Sequence, residues 1–236
     1  MEEDDFNKRE ELLFMCKINI QCERYDQLYE HCLEFAVMGG EELTVEEREY
    51  LATAFKNVVG EKRSQWRILN EIEEREKDKE SSSNVERVKA YKVKVEAELT
   101  EKCSEILALL EQNVIPKTHT EEAIVFFLKM KAEGEKRSAA SQRALLAYTQ
   151  AVERANKTLS SVHPVKLGLA LNYSVFFHEI MLSPERAIVI ARDAFNAAII
   201  EIDSRKDQNY RESSLLMQLM RDNILLWTAE FNDNSK

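Results

Sequence analysis

Turn-forming residues are scarce in this chain: its 236 residues include only 5 Gly and 3 Pro. An all-β fold needs a turn about every ten residues, and Gly and Pro supply many of those turns. Hydrophobic residues make up 44% of the sequence and charged residues 32%. That balance is typical of long helices that bury one face and expose the other to solvent. The sequence therefore predicts an all-α fold.

Start and stop signals divide the sequence into nine predicted helices. Thr44 with Glu47, and Thr118 with Glu121, have the spacing of capping boxes at helix N-termini. Pro164 and Pro184 fit first-turn positions, where proline's missing N–H costs nothing. The predicted helices span residues 6–22, 25–39, 44–79, 83–113, 119–134, 137–161, 164–182, 184–204 and 209–231. Because the connections are short, consecutive helices should pack antiparallel, and we expect one domain over residues 1–236.

Composition also excludes several classes of function. A net charge of -10 argues against nucleic acid or an anionic membrane as a partner. No apolar run is long enough to span a membrane, so we expect a cytoplasmic protein. No phosphate-binding glycine loop, nucleophile elbow or zinc-binding helix motif occurs. No Glu-x-x-His pair occurs either, so we expect no metal, no cofactor and no enzyme activity.

The third predicted helix carries two cations that suit a phosphate. Lys56 and Arg63 are seven residues apart, two turns along one face, and Gly60 lies between them on nearly the same face. Arginine offers a forked pair of donors and lysine a point charge, so together they can hold a phosphate group. The alternative is a solvated stripe on a long helix, which is the commoner case for helix positions in general.

Two apolar stripes, each interrupted by an amide, lie on later helices. One consists of Leu215, Leu219, Asn223 and Trp227, and the other of Leu171, Asn172, Val175 and Glu179. An amide and an indole N–H at such positions can bond a peptide backbone while the apolar residues hold its side chains. The alternative is ordinary core, with Asn223 as a satisfied buried amide. With the two cations, these stripes favour an extended phosphorylated peptide as ligand.

Several segments, in order along the chain, resemble the 14-3-3 family. They are residues 23–26 (ERYD), 50–73, 126–131 (FFLKMK), 163–180 (HPVKLGLALNYSVFFHEI) and 213–230 (SSLLMQLMRDNILLWTAE). The resemblance implies a single domain of nine antiparallel helices, which forms a cup-shaped protomer. It implies as well that two protomers associate as a dimer. It also implies an adaptor that binds phosphoserine or phosphothreonine segments of client proteins, with no catalysis and no cofactor.

Each candidate site residue acquires a role from this resemblance. Lys56 and Arg63 match the phosphate-binding cations, Asn172 and Asn223 the amides that clamp the peptide main chain. Further matches are Trp227 as the indole donor, Lys129 as a groove lysine, Glu179 as an acid behind the cations, and Leu171, Val175, Leu215, Leu216 and Leu219 as the apolar wall. Arg24, Tyr91 and Glu98 match residues that pair across the dimer axis. Gln27 replaces an acid there, so one ion pair between the protomers is missing.

The chain departs from the family after Lys131, where relatives continue to an Arg-Tyr pair that completes the phosphate pocket. The segment here is about ten residues shorter, roughly three helical turns. Our preferred alignment places the gap after Glu133, ends the helix at Gly134 and lacks the Arg-Tyr pair. A rival alignment without a gap brings Lys136 or Arg137 near the missing arginine, as possible substitutes, but no tyrosine follows.

This departure predicts a weakened phosphate pocket. Hydrogen bonds to charged groups contribute roughly 1.5–3 kcal/mol each, so losing two of them weakens binding by about two to four decades. The alternative function is a phosphorylation-independent scaffold, or a heterodimerisation partner of a complete 14-3-3 protein.

Overall fold

The computed structural model describes residues 3–38, 42–79, 82–137, 141–202 and 210–233. Side chains are described for residues 7–38, 42–79, 83–134, 142–202 and 210–231. Within the described ranges the chain forms nine α-helices and no strand, which confirms the all-α class. The helices fall into two compact units, Met1–Thr118 and His119–Lys236.

The first unit contains four α-helices and two short helical turns. They are α1 (Glu3–Gln21), α2 (Tyr25–Val37), α3 (Val45–Asp78) and α4 (Ser82–Leu109), followed by a π-helical turn (Leu110–Val114) and a 3-10 turn (Ile115–Lys117). Thr44 caps α3 in the predicted capping box with Glu47. The contacts between α3 and α4 run in opposite directions along the two helices, since Lys62 pairs with Glu98 and Glu73 with Lys92. These two helices are therefore antiparallel.

The second unit contains α5 (Glu121–Arg137), α6 (Ser141–Thr158), α7 (Pro164–Glu179), α8 (Pro184–Ile202) and α9 (Tyr210–Asp233). Its main core joins residues of all five helices, among them Val125, Tyr148, Phe176 and Ala191, with Trp227 closing one side. Pro164 and Pro184 begin α7 and α8 as predicted. His163 caps α7, because its ring accepts a hydrogen bond from the Val165 N–H.

Several predicted helix boundaries are wrong: the sixth helix begins at Ser141 and not at residue 137, and both ends of the fifth helix differ as well. The fifth helix does not end at Gly134 but continues to Arg137. A helical glycine costs only about 1 kcal/mol relative to alanine, and the neighbouring Ala132 is fully buried in the core. Thr118 does not cap that helix, because its hydroxyl donates to the Val114 carbonyl at 2.8 Å and α5 begins only at Glu121.

In the described part of the chain, no helix combines the length and the apolar character that a bilayer span needs.

Candidate functional site

The predicted phosphate-binding cations lie on α3, in the first unit. Lys56 is exposed and Arg63 is partly exposed. Seven residues of helix separate them by about 10 Å along the axis. At Gly60, between them, a methyl group would meet nothing within 4 Å. This face of α3 is thus an open surface with a cation at either end.

The cations of α3 differ in their contacts. Lys62 pairs with Glu98, Arg75 with Glu71 and Lys77 with Glu73. Lys56 has no hydrogen bond or ion pair with any group that the structure describes. Its charge is therefore available to a ligand.

In the second unit, Lys129 of α5 lies across α7. Its Nζ is 5.1 Å from the centroid of the Phe126 ring, within reach of a cation–π interaction. The same atom would be 3.8 Å from a methyl group placed on Gly168 of α7. The small residue at Gly168 therefore lets the lysine side chain pass close to the α7 backbone.

Asn172 of α7 is already engaged by a side chain that the sequence did not single out. Its amide nitrogen donates a short hydrogen bond to the Glu133 carboxylate of α5, and the pair is partly buried. Glu133 follows Lys129 by four residues, so both side chains project from one face of α5. The four-residue spacing of Lys129 and Glu133 was the only sign in the sequence that Glu133 belongs to the site. Its contact with Asn172 depends on how α5 packs against α7.

The predicted apolar wall on α7 and α9 is partly open. Leu215 is 58% exposed and Leu219 is 44% exposed. Leu171 and Leu216 instead pack against a small core cluster around Leu167 and Met220. Val175 packs on the main core, whereas Asn223 is partly exposed and Glu179 is exposed. The structure thus leaves apolar surface on α9 and an amide on α7 within one unit.

Trp227, the predicted indole donor, is a largely buried residue. It is 4% exposed, and its ring stacks on His178 with centroids 4.7 Å apart. The Nε2 atom of His178 lies 3.3 Å from a carboxylate oxygen of Glu230. Trp227 is therefore a core residue that also belongs to the apolar stripe of α9. A ligand bound to that stripe would alter the surroundings of the indole.

Two of the three residues predicted for the dimer surface, Arg24 and Glu98, have partners inside the protomer. Arg24 donates from Nε to the Gln27 side chain at 3.3 Å. The hydrogen bond from Lys62 lowers the pKa of the Glu98 carboxyl. Tyr91 is 58% exposed. Pairing across a dimer axis would require Arg24 and Glu98 to exchange these contacts, at small cost because exposed ion pairs contribute little.

The predicted substitutes for the missing arginine, Lys136 and Arg137, lie in the last turn of α5. Their side chains are outside the described residues. Among the side chains that are described, no group of three or more His, Cys, Asp or Glu is placed to hold a metal ion.

Comparison with known proteins covers nearly the whole chain. The model of the 14-3-3 protein family matches residues 15–228. The chain is 42% identical to a 14-3-3-like protein of Solanum tuberosum, over 98% of this chain and 93% of that protein. It is 43% identical to the 14-3-3-like protein GF14 epsilon of Arabidopsis thaliana, over 96% and 93% respectively. A 14-3-3-like protein of Chlamydomonas reinhardtii is 44% identical, over 95% and 91%.

Proposed function

Because this chain belongs to the 14-3-3 family, we propose that it binds phosphoserine or phosphothreonine peptides as a dimeric adaptor whose phosphate pocket is weakened. Members of the family are adaptors without enzymatic activity, so the chain is not an enzyme. Family membership supports the general role of binding client proteins and forming dimers. We place this activity in the cytoplasm, and treat residues 1–236 as one functional domain.

The observation that carries the proposal is the state of Lys56. Its exposed ammonium, like the Arg67 guanidinium, has no partner among the described groups, whereas Lys62, Arg75 and Lys77 on the same helix are paired. A dianionic phosphate group is the ligand that an exposed Lys and Arg on one helix face best accommodate. Within the second unit, exposed Leu215 and Leu219 and the amide of Asn172 are residue types suited to the side chains and backbone of an extended peptide.

Two features support the proposal that the phosphate pocket is weakened. The Arg-Tyr pair that completes the pocket in relatives has no counterpart in residues 132–138. In addition, the Glu133 carboxylate holds the amide of Asn172, so a peptide must displace it. Lys136 and Arg137 are the candidates for partial replacement of the arginine, and without them Lys56 and Arg63 bind the phosphate alone.

A phosphorylation-independent role is the second candidate. The hydrogen bond from the Asn172 amide to the Glu133 carboxylate favours this role, because the carboxylate occupies the position that a peptide backbone group would take. In that case the chain acts as a scaffold, or as the partner of a complete relative in a mixed dimer. Arg24, Tyr91 and Glu98 would then carry the function.

The two tryptophans of this chain provide a test with two reporters. Trp227 lies on α9 beside the proposed peptide site, whereas Trp66 follows the proposed phosphate ligand Arg63 by three residues on α3, and its indole donates a hydrogen bond to Glu96 of α4 at 2.7 Å. In an ¹⁵N-correlated NMR spectrum, we expect a phosphoserine peptide to shift the Trp227 indole signal, and we expect any shift of the Trp66 signal to require the phosphate. Trp66→Phe assigns the two signals.

The unphosphorylated form of the same peptide should leave both indole signals unchanged. Equal shifts of the Trp227 signal with both peptides would favour the phosphorylation-independent role. If a saturating phosphopeptide shifts neither signal, or shifts Trp66 alone, the proposed peptide site is wrong.

A further inference from the structure

A cavity of about 330 Å³ lies between α6, α7 and α8 of the second unit. None of the residues predicted for peptide or phosphate binding lines it. Ligand pockets in proteins measure roughly 300–1,000 Å³, so this one is at the small end of the range. Its size suits a compact small molecule rather than a stretch of polypeptide.

The walls of the cavity are mostly apolar. Tyr173 and Ala170 contribute from α7, and Ile190 and Ala194 from α8. The Tyr173 ring stacks on Tyr148 with centroids 5.1 Å apart, which fixes the orientation of this wall. Because alanine side chains line two sides, the space between the helices stays open. An aromatic ring of a ligand would bury its faces against Tyr173 and Ile190.

One cation lies at the cavity wall. Lys166, in the first turn of α7, is partly buried. Its ammonium donates a hydrogen bond to the Leu159 carbonyl at 3.2 Å, which uses one of its three N–H donors. Burial lowers the pKa of Lys166, and the nearby Glu201 carboxylate offsets only part of that effect. A lysine removed from water in this way gains from an anionic ligand.

A second charged group, Asp193, lines a different part of the cavity. Asp193 and Ala197 of α8 are both exposed, so they mark the side that opens to solvent. Water screens the Asp193 carboxylate there, whereas the partly buried Lys166 is screened less. Lys166 is therefore the group at the cavity wall that can hold an anion, an attraction that the nearby Glu201 carboxylate weakens.

We propose that this cavity binds a small aromatic carboxylate, with its ring between Tyr173 and Ile190 and its carboxylate hydrogen-bonded to the Lys166 ammonium. The site is separate from the proposed phosphopeptide site and does not depend on it. The charge-assisted hydrogen bond to Lys166 makes the cavity selective for an acid over a neutral compound. The cavity volume sets the upper limit on ligand size.

Isothermal titration of the full chain with 2-naphthoate and with its neutral amide, 2-naphthamide, tests the proposal. We expect saturable binding of the acid and binding of the amide that is about tenfold weaker, because the amide carbonyl can still accept a hydrogen bond from Lys166 but lacks the negative charge that strengthens it. Lys166→Met should weaken binding of the acid by a similar factor. Ala197→Leu, at the exposed mouth, should weaken binding of both compounds without disturbing the core.

Lys157→Met is the matched control, because Lys157 is exposed on α6 and does not line the cavity. This variant should bind 2-naphthoate like the unmodified chain. The proposal is overturned if neither compound binds saturably at millimolar concentration. Equal binding of acid and amide, or unchanged binding in the Lys166→Met and Ala197→Leu variants, overturns it as well. Far-ultraviolet circular dichroism confirms that each variant is folded.

Discussion

Replacing Lys56 with glutamate should abolish measurable phosphopeptide binding. The substitution removes a charge-assisted hydrogen bond, which contributes roughly 1.5–3 kcal/mol, and adds repulsion between the new carboxylate and the phosphate. The expected loss is at least two decades in Kd, at about 1.4 kcal/mol per decade. Since Lys56 is exposed and unpaired among the described groups, the folded state should keep its stability. Fluorescence anisotropy with a labelled phosphopeptide measures the change.

Arg75→Glu is the control for this charge reversal. It makes the same change in charge on the same helix, twelve residues after Arg63, at an exposed site paired with Glu71. Its phosphopeptide affinity should stay within about twofold of the original, because exposed charges beyond a Debye length are screened. Sedimentation equilibrium should show the same oligomeric state for both variants and the unmodified chain. Equal loss of affinity in both variants would mean that net charge, not Lys56, governs binding.

Replacing Glu133 with alanine should have the opposite effect and tighten phosphopeptide binding by about tenfold. The substitution frees the Asn172 amide from its carboxylate partner, so a peptide no longer has to displace a hydrogen bond to a charged group, worth roughly 1.5 kcal/mol or more. The same anisotropy titration measures the gain. Glu153→Ala, on the exposed face of α6, should leave the affinity unchanged.

A double-mutant cycle separates this mechanism from a general effect of charge. Asn172→Ala should weaken peptide binding, because it removes the amide that bonds the peptide backbone. In that background Glu133→Ala should bring little further gain, since the contact it relieves no longer exists. A full tenfold gain in the absence of Asn172 would show that Glu133 acts through its charge on the phosphate instead.

The fold class followed from the sequence because few residues permit turns. With 5 Gly and 3 Pro in 236 residues, long helices were the consistent solution, and Thr44, Pro164 and Pro184 marked helix starts that the structure confirms. The end of α5 was missed because Gly134 is a local helix-breaking signal. Burial of Ala132 in the core outweighs that signal, and burial is not readable from local sequence.

The candidate site was predictable only where it depends on helical spacing. Gly60 and Arg63 follow Lys56 by four and seven residues, so the three residues share one face of α3. The contact between Glu133 and Asn172 joins residues 39 positions apart on different helices, so no local pattern signals it. Stacking of His178 on Trp227 likewise joins residues on different helices, so no local pattern signals it either.

The most direct test of the central claim is a pair of titrations with one labelled peptide of the pattern Arg-X-X-Ser-X-Pro, phosphorylated on the serine or not. At moderate salt we expect the phosphorylated form to bind with a Kd of about 1–100 μM, and the unphosphorylated form at least tenfold more weakly. That ratio would establish a working but weakened phosphate pocket. Equal affinities, or no phosphate-dependent signal up to high micromolar protein, would contradict the account and direct attention to the dimer surface.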